Sequence, residues 1–528
     1  MRFCKIVFTL FLTISFCFLY GCGGGGSGSN QTPVFIVNPG NNNNTNGNSQ
    51  TINDVISHLN GNNDITTTTK IPEENIKKPW LFIVYAAADN DNILIDQLTN
   101  LNSLEAVGSD KNTHIVEYID IGDPKENIRD WENTGWTKTV NWIGARGFYI
   151  KKDDNYVDIN STVISNYGTV DSGSKDFLET CLKDAMTRFP ADNICLVLNN
   201  HGGGYMGLLC DYKENTIMSN NDVKEAIENA EKASGKHINI LGFDACVMAE
   251  LEPCYEYKDV TDYILASEEL ASSVGWHYEE ILTESSNGIT TRKTYSNSKF
   301  GILPRMAKLV QNRYKAIEER LNQNSTATYS KISSKITPYD FAKLIFDISS
   351  KYKTEVMTFS LIDTSQLEEL KNAVNDFSKN VIDSDEKNLQ YIKKCLLLNT
   401  DGGYAIDYGY YSIYDLCNMM DSIISCENIT NKSLKSSAER VKDRITYAVI
   451  ANSNSGDIYE EYAYSYGLSI FYSDFPSYID PIDKESYTNL TFTKETKWFD
   501  MMKKLQDVDY PQENYLDEKP QEDTIESN

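Results

Sequence analysis

Ile194-Cys195-Leu196-Val197-Leu198 is an unbroken apolar run that ends in Asn199-Asn200-His201-Gly202-Gly203-Gly204, and further along Ile238 to Phe243 ends in Asp244-Ala245-Cys246. Short apolar runs closed by turn residues read as buried strands. Between the two lies a helix. Ser219 and Asp222 approximate a capping box, Val223, Ala226, Ile227 and Ala230 share one face, and Gly235 stops it. Strand, helix, strand, with both strands apolar throughout, predicts a parallel pair covered on both faces. Such sheets carry their sites at the carboxyl ends of the strands. His201 and Cys246 each fall just beyond a strand, on the same edge.

The pattern continues on either side. Leu81 to Ala86 and His114 to Ile121 read as strands, with Leu94, Leu98, Leu101 and Glu105 at helical spacing between them. Trp136 to Ile150 reads as a hairpin, Phe177 to Phe189 as a helix, and Tyr263 to Ala266 as a fifth buried strand. The expected fold is therefore α/β, a mostly parallel sheet flanked by helices. Beyond residue 299 the chain turns helix-rich, with Arg305 to Leu321, Pro338 to Lys353, Gln366 to Ile382 and Leu434 to Ile450, before a last strand at Tyr466 to Phe471. This half reads as a second domain or an extension of the first.

Composition narrows the class. The chain has 528 residues, 40% of them hydrophobic, enough for a sizeable core, and a net charge of −27. That charge argues against nucleic acid as the main partner, because phosphate binding needs a basic patch. It suits solubility and the attraction of basic peptides. Arg2 and Lys5 precede an apolar run from Ile6 to Leu19, too short to span a bilayer but suited to a secretory signal. The run ends in Leu19-Tyr20-Gly21-Cys22, which resembles a bacterial lipobox with a bulky Tyr20. It predicts a signal peptide over 1–21, lipidation of Cys22 and a membrane anchor in the cell envelope. Residues 22–78, rich in Gly, Asn, Ser and Thr, read as a flexible tether, and 511–528 as an acidic disordered tail. A catalytic domain at 79–298 and a helix-rich domain at 299–510 lie between them. Of eleven Cys, the eight beyond Cys22 match no CxxC metal pattern or dense disulfide framework.

Three glycines after His201 leave backbone N–H groups open to a ligand. A Cys at a strand end that opens a helix gains from the helix dipole, which favours thiolate. Together they suit a nucleophile–base pair. A caspase signature places Ala-Cys some way after its His, and here Asp244 stands where that signature has Gln. A carboxylate there would select Arg or Lys before the scissile bond, and the lesser reading, a helix N-cap, is compatible with that role.

The chain resembles the clostripain-like cysteine peptidases, relatives of caspases and gingipains, over roughly Trp80 to Leu505. The resemblance is carried by Tyr85 to Asn90, Asn199 to Gly204, Gly242 to Ala249, Ala266 to Glu269, Gly275-Trp276 and Gly467 to Ile470. It implies a caspase-like fold and cleavage after Arg or Lys, with Cys246 and His201 as the catalytic pair and Asp244 as the basic-residue selector. Internal maturation is implied too, and Lys213 is the one basic residue in the loop from Cys210 to Ile217. The oxyanion would sit on the N–H groups of Cys246 and Gly202. Pro253 shortens or kinks the helix after Cys246.

Other readings were weighed. His-Gly-Gly-Gly also suits the oxyanion loop of an esterase, but the catalytic region has no Gly-x-Ser-x-Gly elbow, and the chain has no His-Glu-x-x-His for zinc. A surface binding protein on an inactive peptidase scaffold is the reading from another class. No cofactor is required. Asp89-Asn90-Asp91-Asn92 could ligate Ca²⁺, the plainer reading being a loop of helix-capping residues.

Overall fold

The computed structural model describes residues 67–509 apart from 91–92, 128–135, 137–139, 156–157, 272–274, 287–327, 332–334, 352–357, 397–411, 457–462, 464 and 474–480. The signal segment, Cys22, residues 23–66 of the tether, the tail and the helix expected at Arg305 to Leu321 lie outside the described residues. The end of the expected tether is ordered instead, because Thr67–Thr68 pairs antiparallel with Ser165 and Asn166, and Lys78 already opens a strand of the sheet. Among the described residues no helix is long and apolar enough to cross a membrane.

The centre is a ten-stranded sheet. In chain order its strands and helices begin with β1 (Thr67–Thr68), β2 (Lys78–Ala87), α1 (Leu94–Glu105), β3 (Thr113–Ile121), β4 (Gly144–Tyr149), β5 (Thr162–Gly168) and α2 (Lys175–Arg188). Then come β6 (Ala191–Asn199), the small hairpin β7 (Leu208–Asp211) and β8 (Thr216–Met218), α3 (Asn220–Ser234), β9 (Ile240–Asp244), α4 (Leu251–Glu256) and β10 (Tyr263–Ala266). The later half adds β11 (Thr358–Asp363), α5 (Leu367–Ile382), β12 (Ile413–Asp415), α6 (Lys432–Ala448), β13 (Val449–Asn454) and β14 (Ser469–Phe471). The sheet order is β1-β5-β4-β3-β2-β6-β9-β10-β11-β13. The five central strands from β3 to β10 pair in parallel, and both margins are antiparallel.

Alternation along β2 shows how the layers form. Leu81, Ile83, Tyr85 and Ala87 enter one core with α2, α3 and α4, while Trp80, Phe82, Val84 and Ala86 enter the other with α1. The chain leaves β2 through α1 on one face to reach β3. It then returns past β2 to β6 through α2 on the opposite face, and keeps to that face through α3 and α4. The winding reverses between β2 and β6, where an open α/β sheet leaves its crevice. α3 forms as its sequence predicts. Ser219 accepts from Asp222 N at the N-cap, and Gly235 ends the helix in the left-handed conformation with φ 66°.

Some expectations are corrected. The stretch Trp136 to Ile150 contains one sheet strand, β4, and its hairpin partner is β5, further along the chain. The later half is helical at Pro338–Ser349, α5 and α6 as expected. It also supplies the buried β11 and the half-buried β13 to the same sheet, two short strands that the sequence reading did not include. Cys395 and Cys426 form a disulfide, and the other described cysteines are free and buried.

Gly242, in the middle of β9, faces the ring of Trp276, and a Cβ there would drive into that ring. Replacing Gly242 by Ala is expected to destabilise the chain by about 1–3 kcal/mol through overpacking, read as a lower denaturant midpoint.

Candidate active site

The parallel register of β6 and β9 pairs Asn199 with Asp244. Two residues beyond that pair, on each strand, come His201 and Cys246. The two residues singled out in the sequence thus leave neighbouring strands at the same level. Gly202 is packed onto the Cys246 backbone. A Cβ on it would overlap the Cys246 carbonyl oxygen and stand 3.1 Å from both Cys246 N and Met248 Cγ. Neither the Gly202 nor the Cys246 N–H donates to another described residue. Two converging amides of this kind suit a developing oxyanion. The turn after Cys246 is strained, with Val247 at φ 50°, a region that β-branched residues avoid. Its amide is held by the Glu269 carbonyl at 3.1 Å.

Cys246 is 5% exposed. Its Sγ accepts from Ala271 N at 3.3 Å and faces the Ala271 carbonyl at 3.8 Å. Burial pushes its thiol up to about 12. Here the structure corrects the sequence reading. α4 begins only at Leu251, with Glu250 as its N-cap residue, so Cys246 does not open a helix. The macrodipole falls off within one turn and does not lower this thiol. For the same reason Asp244 caps no helix. Pro253 lies inside α4, which is only six residues long, the short helix its position predicted.

His201 is equally buried, and burial pulls its imidazole down to about 4. The Tyr212 ring stacks on it at 6.0 Å between centroids, with the hydroxyl 3.3 Å from Nε2. Tyr212 is placed by the β7–β8 hairpin and by its own N–H, which donates to the Asp89 carbonyl at 3.0 Å. The His201 carbonyl accepts from Leu209 N. In the resting chain a neutral thiol therefore accompanies a neutral imidazole.

Asp244 is 6% exposed. Its Oδ2 accepts from Asn199 Nδ2 at 2.9 Å, Trp276 N at 3.0 Å and Tyr278 Oη at 2.8 Å. Burial, then the Asp244 charge, raises the Tyr278 phenol, which keeps it a donor. Gln97 Nε2 in turn holds Asn199 through its carbonyl and its side-chain oxygen, both at 2.9 Å.

Lys213 is exposed in the hairpin turn between β7 and β8. Asp211 shapes that turn by accepting from the N–H groups of Lys213 and Glu214 at 3.0 Å. Of the oxygen-rich loop that could ligate Ca²⁺, Asn90 shapes the turn ahead of α1, its Oδ1 accepting from Ile93 N at 3.0 Å, while Asp91 and Asn92 lie outside the described residues. Asp89 instead meets Asp120 and Asp211, with one oxygen of each within 4.8 Å of the others and all three residues buried. Asp120 Oδ2 has no hydrogen-bond partner among the described residues. An all-carboxylate set suits a hard divalent cation such as Ca²⁺ rather than zinc.

Asn199, Trp276, Tyr278 and Tyr212 complete the site. Gly275-Trp276 was visible as a family-like pair, but nothing in the spacing of Tyr212 or Tyr278 marks them. Two of the other histidines have structural partners. His114 is buried between the Ile76 carbonyl at 2.7 Å and Tyr149 Oη at 3.1 Å, and His237 pairs with Glu231 at 2.9 Å.

The chain is similar to known proteins of one family. The family model of the clostripain family, peptidase family C11, matches residues 83–506. Clostripain of Hathewaya histolytica is 20% identical over 469 residues, covering 82% of this chain and 81% of its own. Among solved structures, a secreted C11 cysteine protease from Bacteroides thetaiotaomicron with an irreversible peptide inhibitor is 17% identical at TM-score 0.45, covering 78% of this chain and 97% of its own. An inactive zymogen C11 protease from Parabacteroides distasonis is 17% identical at TM-score 0.48, covering 80% and 99%.

A thiol at about 12 gains roughly tenfold in thiolate per pH unit well below that value. Alkylation of Cys246 in the resting chain by iodoacetamide, followed by mass spectrometry, should therefore climb from pH 6 to pH 9 without a plateau. A plateau below pH 8 would indicate a thiolate–imidazolium pair and contradict the neutral resting state.

Proposed function

The chain belongs to the clostripain family and is a cysteine peptidase, and from that premise we propose that it cleaves peptide bonds after Arg or Lys, using Cys246 as nucleophile and His201 as acid and base. The observation that carries the reading is the shared level of the two residues beyond the Asn199–Asp244 pair, with Gly202 packed against the Cys246 backbone.

The steps follow from the neutral resting pair. When substrate displaces water, His201 takes the Cys246 proton and Sγ attacks the carbonyl carbon. The oxyanion is received by the N–H groups of Cys246 and Gly202, each such donor contributing about 10²–10³ in rate. His201 then gives its proton to the leaving amine, an acyl-enzyme remains, and His201 draws a proton from the water that releases it. Tyr212 holds the imidazole plane throughout. Asp244 receives the basic side chain, since a buried carboxylate strongly favours a cationic partner over a neutral one. The exposed position of Lys213 supports self-cleavage in the β7–β8 turn. Export and lipid anchoring at Cys22 in the cell envelope rest on the N-terminal sequence, and peptides or proteins with basic residues are the proposed substrates.

Fluorogenic peptides ending in Arg, Lys, Asp or Leu test the reading. Cleavage is expected after Arg and Lys alone and is lost in Cys246→Ala, and the active chain alone should resolve into two bands on a denaturing gel. Cleavage of none of the peptides, before and after limited proteolysis, would sink the proposal and favour the inactive binding scaffold.

No cofactor takes part in these steps. A hard divalent cation, Ca²⁺ by ligand type, is proposed to neutralise the buried Asp89, Asp120 and Asp211 beneath the hairpin that carries Tyr212. Adding Ca²⁺ after chelation should raise the thermal midpoint by several degrees, and Asp120→Asn should abolish the rise. An unchanged midpoint in the wild-type chain would mean that the carboxylates are held by shared protons instead.

A further inference from the structure

We propose that Asn100 is a specificity-determining residue that receives, together with Asp244, the side chain preceding the scissile bond, and that it favours Arg over Lys; the inference rests on the basic-residue reading given above. Asn100 lies on α1 one turn beyond Gln97, so both side chains project from the same face of the helix. Gln97 reaches Asn199, and Asn199 reaches Asp244. Asn100 reaches Gly275. A Cβ on Gly275 would stand 2.5 Å from Asn100 Nδ2 and 2.6 Å from Asp244 Oδ2, so the amide and the carboxylate converge on that one residue from different elements. Gly275 has φ 72°, a conformation that suits glycine, and no side chain separates the two groups there.

The unusual feature is what these groups lack. Asn100 is 3% exposed, yet neither its Nδ2 nor its Oδ1 has a hydrogen-bond partner among the described residues. Gln97, 1% exposed, keeps its Oε1 unpartnered as well. A buried polar group without a partner is costly, and in a native structure it calls for a reason. Asp244 Oδ2 already accepts three internal donors, so a cationic head brought beside it needs further acceptors. Nδ2 is the Asn100 atom nearest Gly275, but with neither amide atom held by a partner a half-turn of the amide presents Oδ1 as one such acceptor, and Gln97 Oε1 is a second. A guanidinium brings five N–H donors in a planar fork, and an ammonium brings three around a point. A set of fixed acceptors at different positions is better matched by the guanidinium. A ligand that satisfies buried polar groups is discriminated from one that leaves them bare by far more than apolar contact allows.

The test compares the wild-type chain with Asn100→Leu, which keeps the volume and removes both polar atoms. Peptides ending in Arg and Lys are assayed for kcat and KM, and thermal midpoints are recorded. Asn100→Leu is expected to lower kcat/KM on the Arg peptide by about tenfold or more and to reduce the Arg-to-Lys ratio. The midpoint should stay level or rise, because two unsatisfied groups are gone. Equal losses on both peptides, or an unchanged ratio, would overturn the inference while leaving cleavage after basic residues intact. If Asn100→Leu does not fold, Asn100→Ser is measured in its place; failure of both to fold makes the residue structural and overturns the inference. A wild-type chain that cleaves after neither Arg nor Lys would instead bring down the basic-residue reading, and this inference with it.

Discussion

The site depends on the register of two parallel strands. β6 and β9 pair so that Asn199 faces Asp244, and the same pair is joined a second time by Asn199 Nδ2 donating to Asp244 Oδ2. In a strand, neighbouring side chains point to opposite faces, so a slip of one residue would exchange the two faces along the whole strand. Here the register is held by cores on both sides. Leu196 and Leu198 enter one, and Cys195 and Val197 enter the other. The alignment of His201 with Cys246 is thus maintained by burial along the whole length of both strands, with no requirement for a direct bond between the two residues.

Burial has a second consequence. The elements that align the strands also exclude water from their carboxyl ends. Cys246, His201 and Asp244 are almost fully buried, and the first two are driven towards their neutral forms. A dry site strengthens every dipole aimed at the reacting carbonyl, while the neutral pair leaves the resting thiol weakly nucleophilic. The charge that remains is heavily hydrogen-bonded, as three donors on Asp244 Oδ2 show. An acidic group deeper in the fold is driven towards its neutral form, as Cys246 and His201 are. Glu250 is wholly buried, accepts from Tyr205 N, and has its carboxyl raised well above the usual range by burial and by Glu252. Tyr205 follows the glycine run after His201, and Glu250 lies four residues beyond Cys246, so this one carboxyl ties the two segments together.

The halves of the chain are less separate than their compositions suggest. β11 and β13 extend the sheet that begins with β2, and Ile413 on β12 packs with Cys246 and Val247. Ser469 N donates to the Ala249 carbonyl, and Phe471 N to Glu252 Oε1. The later segment therefore supports the turn and short helix that follow Cys246.

Much of this was legible in the amino-acid order, because local patterns encode local structure. Five-residue apolar runs, a capping Ser219 and a stopping Gly235 suffice for a parallel α/β core, and the rule that sites lie at strand ends then selects His201 and Cys246. What could not be read required distant segments to meet. Tyr278 and Trp276 reach Asp244 from beyond β10, Asp120 joins Asp89 and Asp211 from three separate strand ends, and Asn100 looks from the sequence like any polar residue on a helix. The electrostatic state of Cys246 was not legible for the same reason. Sequence placed a glycine-flanked Cys at a strand end and could suppose a helix behind it, but the ionisation of a thiol depends on how much of the fold closes over it, and only tertiary packing decides that.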